Sequence, residues 1–389
     1  MQNLLLEGGN SMNKKIKICF ISLGSYPLFN KNIKRTFGGA EVQMYLLAKE
    51  ISKDNQFEVS FIVGDYGQKK IEKYGKIQVI RGMKFEKPSL ANWIIPKNKI
   101  RLFHAILKAN SDIYIQRAAS GGTGIIRVIT RILRKKFVYM SAHEIDCNGG
   151  FEKQNSKPLG FLFKYGIKNA NLIITQRKEH KEMIKKHHHK ESIVMNSVYE
   201  IPRLKNTNQS MKKTILWVGR CEDWKRPELF LEIAKENPKE KFVMISPPAM
   251  NNPVYASEIK KEAKKISNLQ FVDFVPFNEI DSYFKKAKMF VITSKYEGFP
   301  NTLIQAAKNK TPIFSMSINP DNLFKRYDLG FYSNDSYELL SKEIKIILKD
   351  PKKLAKKGDE AYRYAKENHD VKKITKVYKS LLYNLVYEK

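Results

Sequence analysis

Short runs of β-branched and aromatic residues alternate with helical patterns along almost the whole chain. The run KKIKICFIS at 14–22 leads through a loop and the pair Gly38 and Gly39 into a helical pattern at 40–52. Further strand patterns lie at 57–64, 77–82, 111–117, 136–144 and 171–177. Strands that alternate with helices are joined by crossover connections, so the pattern predicts an α/β fold with parallel sheets.

The alternation lapses at 196–213, where the sequence is polar and has no period, and restarts at 214–220 with TILWVGR. A chain of 389 residues is also too long for one compact core. We therefore expect a first domain at 1–205, a second domain at 206–369 and a C-terminal helix at 370–389.

The composition limits the class of protein and its location. Hydrophobic residues make up 42% and the net charge is +32, which favours a packed interior and a polyanionic partner. The three cysteines are too few for a disulfide framework, and no apolar run approaches the ~20 residues that span a bilayer. The N-terminus lacks the basic region of a secretory signal. We expect a cytoplasmic protein that is soluble or lies on a membrane surface.

Two cations follow the strand pattern at the start of the second half. Arg220 and Lys225 come directly after TILWVG, and ligands of open parallel sheets bind beyond the carboxyl ends of strands. A guanidinium fork and an ammonium suit a diphosphate. The alternative is a surface salt bridge with Glu222 or Asp223, which lie between them.

The segment SKYEGFPNTLIQ at 294–305 again runs from a strand through a loop into a helix. The free N–H groups at such a helix start form an anion site, and Gly298 lets the backbone approach a ligand closely. Glu297 can accept hydrogen bonds from sugar hydroxyls, and Gln305 lies two turns into the helix, where it can face a ribose. The alternative for Glu297 is a cap that precedes the helix.

His143 lies at the end of the strand pattern KFVYMS, and the glycine pair 38–39 opens a helix. Taken alone, each has an ordinary structural explanation, as a buried histidine or as a helix start.

Three segments, VGRCEDWKRPELFLEIA, NLQFVDFVP and SKYEGFPNTLIQAAKNKTPI, resemble the glycosyltransferase family 4 enzymes of the GT-B fold. The resemblance extends from the first strand to about residue 350. It implies two Rossmann-like domains that face each other across a cleft, with the last helix packed back on the first domain. It also implies a retaining glycosyltransferase, of hexosyltransferase type, that moves a sugar from a nucleotide-diphosphate donor to a lipid-linked or polysaccharide acceptor in surface glycan synthesis.

The resemblance assigns roles to individual residues. Arg220 and Lys225 clamp the donor diphosphate, while Glu297 and His143 contact the donor sugar. The second acid of the family's E-x7-E motif is Gln305 here, which keeps one ribose hydrogen bond but loses the charge and the bidentate contact. Glu144 and Asp146 are candidates for the acceptor pocket. The expected donor contacts are Gly38, Gly39, Gly219, Gly298, Phe299, Pro300, Asn301, Thr302, Leu303 and Gln305.

We expect no cofactor and no metal ion, with a UDP- or GDP-linked sugar as substrate. The chain has no D-x-D triplet, and it lacks the loops of nucleotide triphosphatases and dehydrogenases. The run His187 to His189 is interpreted as a solvated helix end.

A basic helical pattern at 125–136 carries Arg127, Arg131, Arg134 and Lys135 on one side. Such a helix predicts reversible docking on the anionic inner face of the cell membrane, with about 1 kcal/mol from each cation. The alternative is an ordinary surface helix. No motif for nucleic-acid recognition is present, so no nucleic-acid partner is expected.

Two other functions stay open at this point. One is a nucleotide-sugar epimerase of the same fold. The other is a non-catalytic binding subunit, which the replacement at Gln305 suggests.

Overall fold

The computed structural model describes residues 15–33, 35–84, 96–204, 212–248 and 252–387. These residues form two α/β domains, each built on its own sheet, so the predicted α/β class is confirmed. The expected boundary between residues 205 and 206 lies outside the described residues.

The first domain contains an eight-stranded sheet in the order β3-β4-β2-β1-β5-β6-β7-β8, in which β3 alone runs antiparallel to its neighbour. Its strands are β1 Ile16–Ile21, β2 Phe57–Asp65, β3 Ile71–Tyr74, β4 Ile77–Lys84, β5 Ile113–Arg117, β6 Lys136–Met140, β7 Leu172–Thr175 and β8 Ile193–Val194. Its helices are α1 Tyr26–Phe29, α2 Gly39–Ile51, α3 Pro96–Ala109, α4 Gly122–Ile132, α5 Gly150–Gln154, α6 Lys157–Lys168 and α7 Lys178–His188.

The second domain contains a six-stranded parallel sheet in the order β11-β10-β9-β12-β13-β14. Its strands are β9 Thr214–Val218, β10 Lys241–Ile245, β11 Leu269–Val272, β12 Ala287–Ile292, β13 Ile313–Ser315 and β14 Gly330–Tyr332. Its helices are α8 Pro227–Glu236, α9 Pro253–Lys264, α10 Ile280–Lys286, α11 Asn301–Lys308, α12 Leu323–Arg326, α13 Tyr337–Ile347 and α14 Pro351–Asn368, and α15 Val371–Tyr387 follows.

The central strands are apolar because helices cover both faces of each sheet. Every residue of β5 is buried, and α2 buries Met44, Leu47 and Ile51 against the first sheet. Loops follow the carboxyl ends of the parallel strands in both sheets, and these loops carry many of the polar residues.

The chain passes between the domains twice, and the two crossings are hydrogen-bonded to each other. The Tyr199 N–H donates to the His369 carbonyl at 2.9 Å, and the Val371 N–H donates to the Tyr199 carbonyl at 2.9 Å. Beyond the second crossing, α15 packs on α2 and buries Tyr378 and Leu382 in the core of the first domain.

Two local expectations were wrong. The helix predicted at 125–136 ends at Ile132, because Arg134 takes a left-handed conformation with φ of 55° and Lys136 already belongs to β6. The basic side chains therefore do not form one continuous helical row. His188, expected in solvent, is only 1% exposed and packs against Phe163, and burial lowers its pKa to about 4.

Candidate active site

A cavity of about 860 Å³ lies between the two domains. One wall comes from loops that follow β1, β5 and β6, and the other from loops that follow β9, β10 and β12. Most residues singled out in the sequence line this cavity, namely Arg220, Lys225, His143, Glu297, Gly38, Gly39, Gly219, Gly298, Phe299, Pro300, Asn301, Thr302 and Gln305.

The two cations occupy the second-domain wall. Arg220 is exposed to the cavity just beyond β9, and Lys225 ends a short 3-10 turn at Asp223–Lys225. The Lys225 ammonium forms an ion pair with the Glu297 carboxylate, and each of these side chains is 14% exposed. The Ser294 hydroxyl donates to the same Glu297 oxygen at 3.0 Å. Lys225 thus pairs across the site with Glu297 and not with its sequence neighbours Glu222 or Asp223.

The turn that carries Lys225 is fixed against the end of β12. The Thr293 hydroxyl donates to the Lys225 carbonyl at 2.6 Å and accepts a hydrogen bond from the Trp217 indole N–H at 3.0 Å. Arg226 has a left-handed φ of 49°, and its Nε donates to the Thr293 carbonyl at 2.7 Å. The Lys225 ammonium also lies 4.3 Å from the centre of the Trp224 ring. Buried partners therefore hold the base of Lys225 in place while its end group reaches the cavity.

Gly298 brings the two domains into close contact beside Glu297. A Cβ atom at this position would lie 2.2 Å from the Ala142 carbonyl oxygen, which is far inside van der Waals contact. The Arg177 guanidinium donates to the Gly298 carbonyl at 3.0 Å. This approach sets the loop that carries Glu297 directly against the loop that carries His143.

A second contact between the domains joins the starts of helices α2 and α11. The Asn301 side chain donates to the Gly39 carbonyl at 3.0 Å and accepts from the Gln43 amide at 3.0 Å. Because both helices begin at the cavity, their free N–H groups and positive dipole ends favour an anion there. The Glu41 carboxylate accepts from the Gly38 N–H at 3.0 Å and so caps α2.

Three expected site residues do not line the cavity. Leu303 is fully buried in the second-domain core, because the apolar face of α11 turns towards the sheet. Asp146 is 2% exposed, and its carboxylate accepts from the backbone N–H groups of Ala142 at 2.7 Å and His143 at 3.1 Å. Burial raises the pKa of Asp146. Glu144 accepts from the Asn148 amide at 3.3 Å in the same short turn. Asp146 and Glu144 therefore form hydrogen bonds within the His143 loop and are not among the residues that line the cavity.

The cavity also has lining residues that the sequence analysis missed. They include Arg35, Tyr66, Arg117, Gln176, Trp224 and Phe277. Arg117 ends β5, so the rule that selected Arg220 would have selected it as well. Trp224 belongs to the same 3-10 turn as Lys225, and the remaining residues lie in loops at the cavity.

Comparison with known proteins identifies the second domain most directly. Residues 198–364 match the family model described as glycosyl transferases group 1. An uncharacterized glycosyltransferase of Methanocaldococcus jannaschii is 24% identical over 290 residues, which are 68% of this chain and 68% of that protein. An uncharacterized glycosyltransferase of Haemophilus influenzae is 23% identical over 178 residues, which are 44% of this chain and 49% of that protein.

Solved structures share the two-domain fold at lower sequence identity. The crystal structure of HepE from Anabaena in complex with UDP and glucose has a TM-score of 0.72 at 15% identity, covering 95% of this chain and 100% of that one. The sucrose-phosphate synthase from Thermosynechococcus elongatus has a TM-score of 0.76 at 14% identity, covering 96% of this chain and 100% of that one. The second domain is thus similar to the group 1 glycosyl transferases, and the chain as a whole has the two-domain GT-B fold of these solved structures.

Proposed function

We propose that the protein transfers a sugar from a UDP- or GDP-linked donor to a hydroxyl group of a lipid-linked glycan or growing polysaccharide, with retention of configuration. The observation that carries this proposal is the convergence of Arg220, Lys225 and Glu297 on one cavity between the domains. Fixed cations there suit a diphosphate, and a carboxylate beside them suits sugar hydroxyls.

In the proposed complex the donor lies mainly on the second domain. Its diphosphate sits between Arg220, Lys225 and the starts of helices α2 and α11, while Gln305 faces the ribose. Lys225 then exchanges its partner, leaving Glu297 for a phosphate oxygen. Glu297 becomes free to accept hydrogen bonds from the donor sugar. Since HepE was solved with UDP and glucose, UDP is the first nucleotide to test.

The proposed chemistry breaks the bond between the sugar C1 and the β-phosphate oxygen and forms a bond from C1 to the acceptor oxygen on the same face. The departing phosphate oxygen takes the proton of the acceptor hydroxyl. Arg220 and Lys225 stabilise the charge that grows on the diphosphate, and preorganised donors of this kind contribute roughly 3 to 4 kcal/mol each. His143 lies on the opposite wall, where it can contact the donor sugar.

The test of this function is nucleotide release from a panel of UDP- and GDP-linked sugars, with and without a membrane extract as the source of acceptor. We expect nucleotide release from at least one donor, and we expect this release to depend on the acceptor. Conversion of the donor sugar without acceptor would indicate an epimerase. Nucleotide binding without any turnover would indicate a binding subunit, the alternative that Gln305 suggests.

We further propose that the first domain docks on an anionic membrane surface. Helices α4 and α6 pack together and expose Val128, Ile132 and Phe161, with exposed fractions of 40%, 69% and 70%. Arg131 and Lys164 lie exposed on the same two helices. Apolar side chains among cations suit the interface of an anionic bilayer. Within the described part of the chain, no helix is both long enough and apolar enough to cross a bilayer.

Flotation with liposomes tests this docking surface. We expect the protein to float with liposomes that contain anionic lipid, and the double variant Ile132→Glu/Phe161→Glu to remain at the bottom of the gradient. Val254→Glu is the matched control, because Val254 is 67% exposed on the second domain. Equal flotation of all three proteins would contradict the docking proposal.

A further inference from the structure

Arg117 is a buried cation of the first-domain wall that the proposed donor complex does not use. It is the last residue of β5, it lines the cavity, and it is only 9% exposed. Its Nε is fully buried without a hydrogen-bond partner. Among the described residues its guanidinium has no hydrogen-bond or ion-pair partner at all.

Two other partly buried arginines have partners, whereas Arg127, whose Nε is also buried without one, lies outside the cavity. Arg81 donates to the Gln68 carbonyl at 2.9 Å and lies 3.8 Å from Asp65, and Arg177 donates to the Gly298 carbonyl at 3.0 Å. A charge taken out of water without a partner costs several kcal/mol, so natural cores rarely keep one. Arg117 therefore carries a cost that no contact within the described chain offsets.

Two carboxylates, those of Asp146 and Glu41, act on Arg117 electrostatically, and neither forms an ion pair with it. The Asp146 carboxylate accepts hydrogen bonds from the backbone N–H groups of Ala142 and His143, and the Glu41 carboxylate accepts one from the Gly38 N–H. Both acids, with Tyr139 and Tyr378, act on Arg117 only through longer-range electrostatics, and burial lowers its pKa. An arginine nevertheless stays protonated in a protein. The guanidinium thus faces the cavity as an unneutralised positive charge.

The backbone at this point also has an uncommon conformation. Ala118, which follows Arg117 and lines the cavity, has a φ of 72°, a left-handed value that costs an ordinary residue free energy. The carboxyl end of β5 lies between those of β1 and β6. Arg117 is therefore placed between the glycine loop that precedes α2 and the His143 loop.

A second cation lies at the rim of the same wall. Arg35 is exposed and lines the cavity, with its guanidinium 5.4 Å from the centre of the Tyr66 ring. Arg220 and Lys225 belong to the opposite, second-domain wall. The cavity thus has two separate groups of cations, one on each domain.

We propose that the acceptor is anionic and that Arg117 binds its phosphate or carboxylate group, with Arg35 assisting at the rim. This inference rests on the proposed function, because it assigns the first-domain wall to the acceptor. A planar guanidinium binds either oxyanion through two parallel hydrogen bonds. The anion would fix the acceptor so that its hydroxyl faces the donor sugar beside His143.

Calorimetric titration of the UDP-saturated protein tests the inference, since UDP occupies Arg220 and Lys225. The probes are glucose 6-phosphate, glucuronate, inorganic phosphate and uncharged glucose, so the phosphate and carboxylate arms are separate. We expect at least one anionic probe to bind about tenfold or more tightly than glucose. Arg117→Gln should abolish that preference and change the UDP affinity less than threefold. Arg117→Lys keeps the positive charge but loses the planar guanidinium, so it should retain part of the preference for the anionic probe.

Arg81→Gln is the matched control, because it removes an arginine that is paired within the protein and lies outside the cavity. It should lower the melting temperature and leave anion binding unchanged, whereas Arg117→Gln should leave the melting temperature unchanged or raise it. The inference would be overturned if Arg117→Gln bound the anionic probe as tightly as the wild type. It would also be overturned if the UDP complex of the wild type showed no preference for anionic probes over glucose. Failure of the wild-type protein to bind any nucleotide would contradict the proposed function instead.

Discussion

The ion pair between Lys225 and Glu297 offers a way to separate stability from donor binding. The single variants Lys225→Met and Glu297→Gln each leave one member of the pair without its partner, and the double variant removes both charges. Each side chain is 14% exposed, and after loss of Lys225 the Glu297 carboxylate keeps the Ser294 hydroxyl at 3.0 Å. We therefore expect Lys225→Met to lower both the stability and the UDP affinity, and the double variant to recover only the stability.

The expected magnitudes follow from the burial of the pair. An exposed ion pair contributes at most about 1 kcal/mol, and breaking a fully buried one costs about 3 to 5 kcal/mol, so a pair this enclosed should cost roughly 2 kcal/mol. In a domain of this size that lowers the melting temperature by about 4 to 8 °C. A charge-assisted hydrogen bond to the diphosphate contributes about 1.5 to 3 kcal/mol, so Lys225→Met should weaken UDP binding roughly 10- to 100-fold.

Thermal melting and calorimetric titration with UDP and UMP measure the two effects separately. Lys225→Met should reduce the preference for UDP over UMP, because the lost contact is to the second phosphate. Glu297→Gln should bind UDP at least as tightly as the wild type, since Lys225 no longer has to leave a carboxylate. The assigned role of Lys225 would be refuted if Lys225→Met bound UDP as tightly as the wild type. It would also be refuted if the double variant regained both the melting temperature and the UDP affinity.

Three further changes have defined outcomes. The added methyl group of Gly298→Ala must displace the Ala142 carbonyl by about 1 Å. Turnover should therefore fall about 100-fold, while the UDP affinity changes little. Normal turnover would contradict the importance of this contact between the domains. Gln305→Glu should tighten UDP binding about 5- to 10-fold in calorimetry through a charge-assisted ribose contact, and unchanged or weaker binding would argue against Gln305 facing the ribose. Burial lowers the pKa of His369 to about 4, and its ring donates to the Ser197 carbonyl at 2.7 Å and accepts from the Tyr364 hydroxyl at 2.8 Å. As the pH falls, the unfolded chain therefore binds the proton first, so the contribution of His369 to stability is complete above pH ~6.5 and decreases towards pH 4. Between pH 7 and 5, the free energy of unfolding in urea should fall by about 2 kcal/mol more in the wild type than in His369→Gln. Equal decreases in the two proteins would contradict a role of His369 in this pH dependence.

The sequence predicted the sheet-end residues better than those in irregular turns. Arg220, Lys225 and Glu297 follow buried strands, and the carboxyl ends of parallel strands carry ligand sites, so their place at the cavity could be inferred locally. Their mutual contact could not be inferred, because Lys225 and Glu297 are 72 residues apart and meet only since β9 and β12 are neighbours in the sheet. The same limit applies to Gly298, whose closest neighbour belongs to the other domain.

The expected residues that do not line the cavity are those whose position depends on side-chain direction or on a short turn. Leu303 shares the first turn of α11 with Asn301 and Thr302, yet the helix turns it towards the sheet. Asp146 sits beside His143 in sequence, but the 3-10 turn directs its carboxylate to backbone N–H groups. Strands β3, β8, β13 and β14 have two to four residues each, too few to show a period.

The central claim is that Arg220 and Lys225 hold the diphosphate of a nucleotide sugar between the two domains. A crystal structure of the protein with bound UDP tests it most directly. We expect β-phosphate oxygens about 2.7 to 2.9 Å from the Arg220 guanidinium and the Lys225 ammonium, with the Lys225–Glu297 ion pair opened. UDP bound elsewhere, or in this cavity with both cations unengaged and the ion pair intact, would contradict the claim.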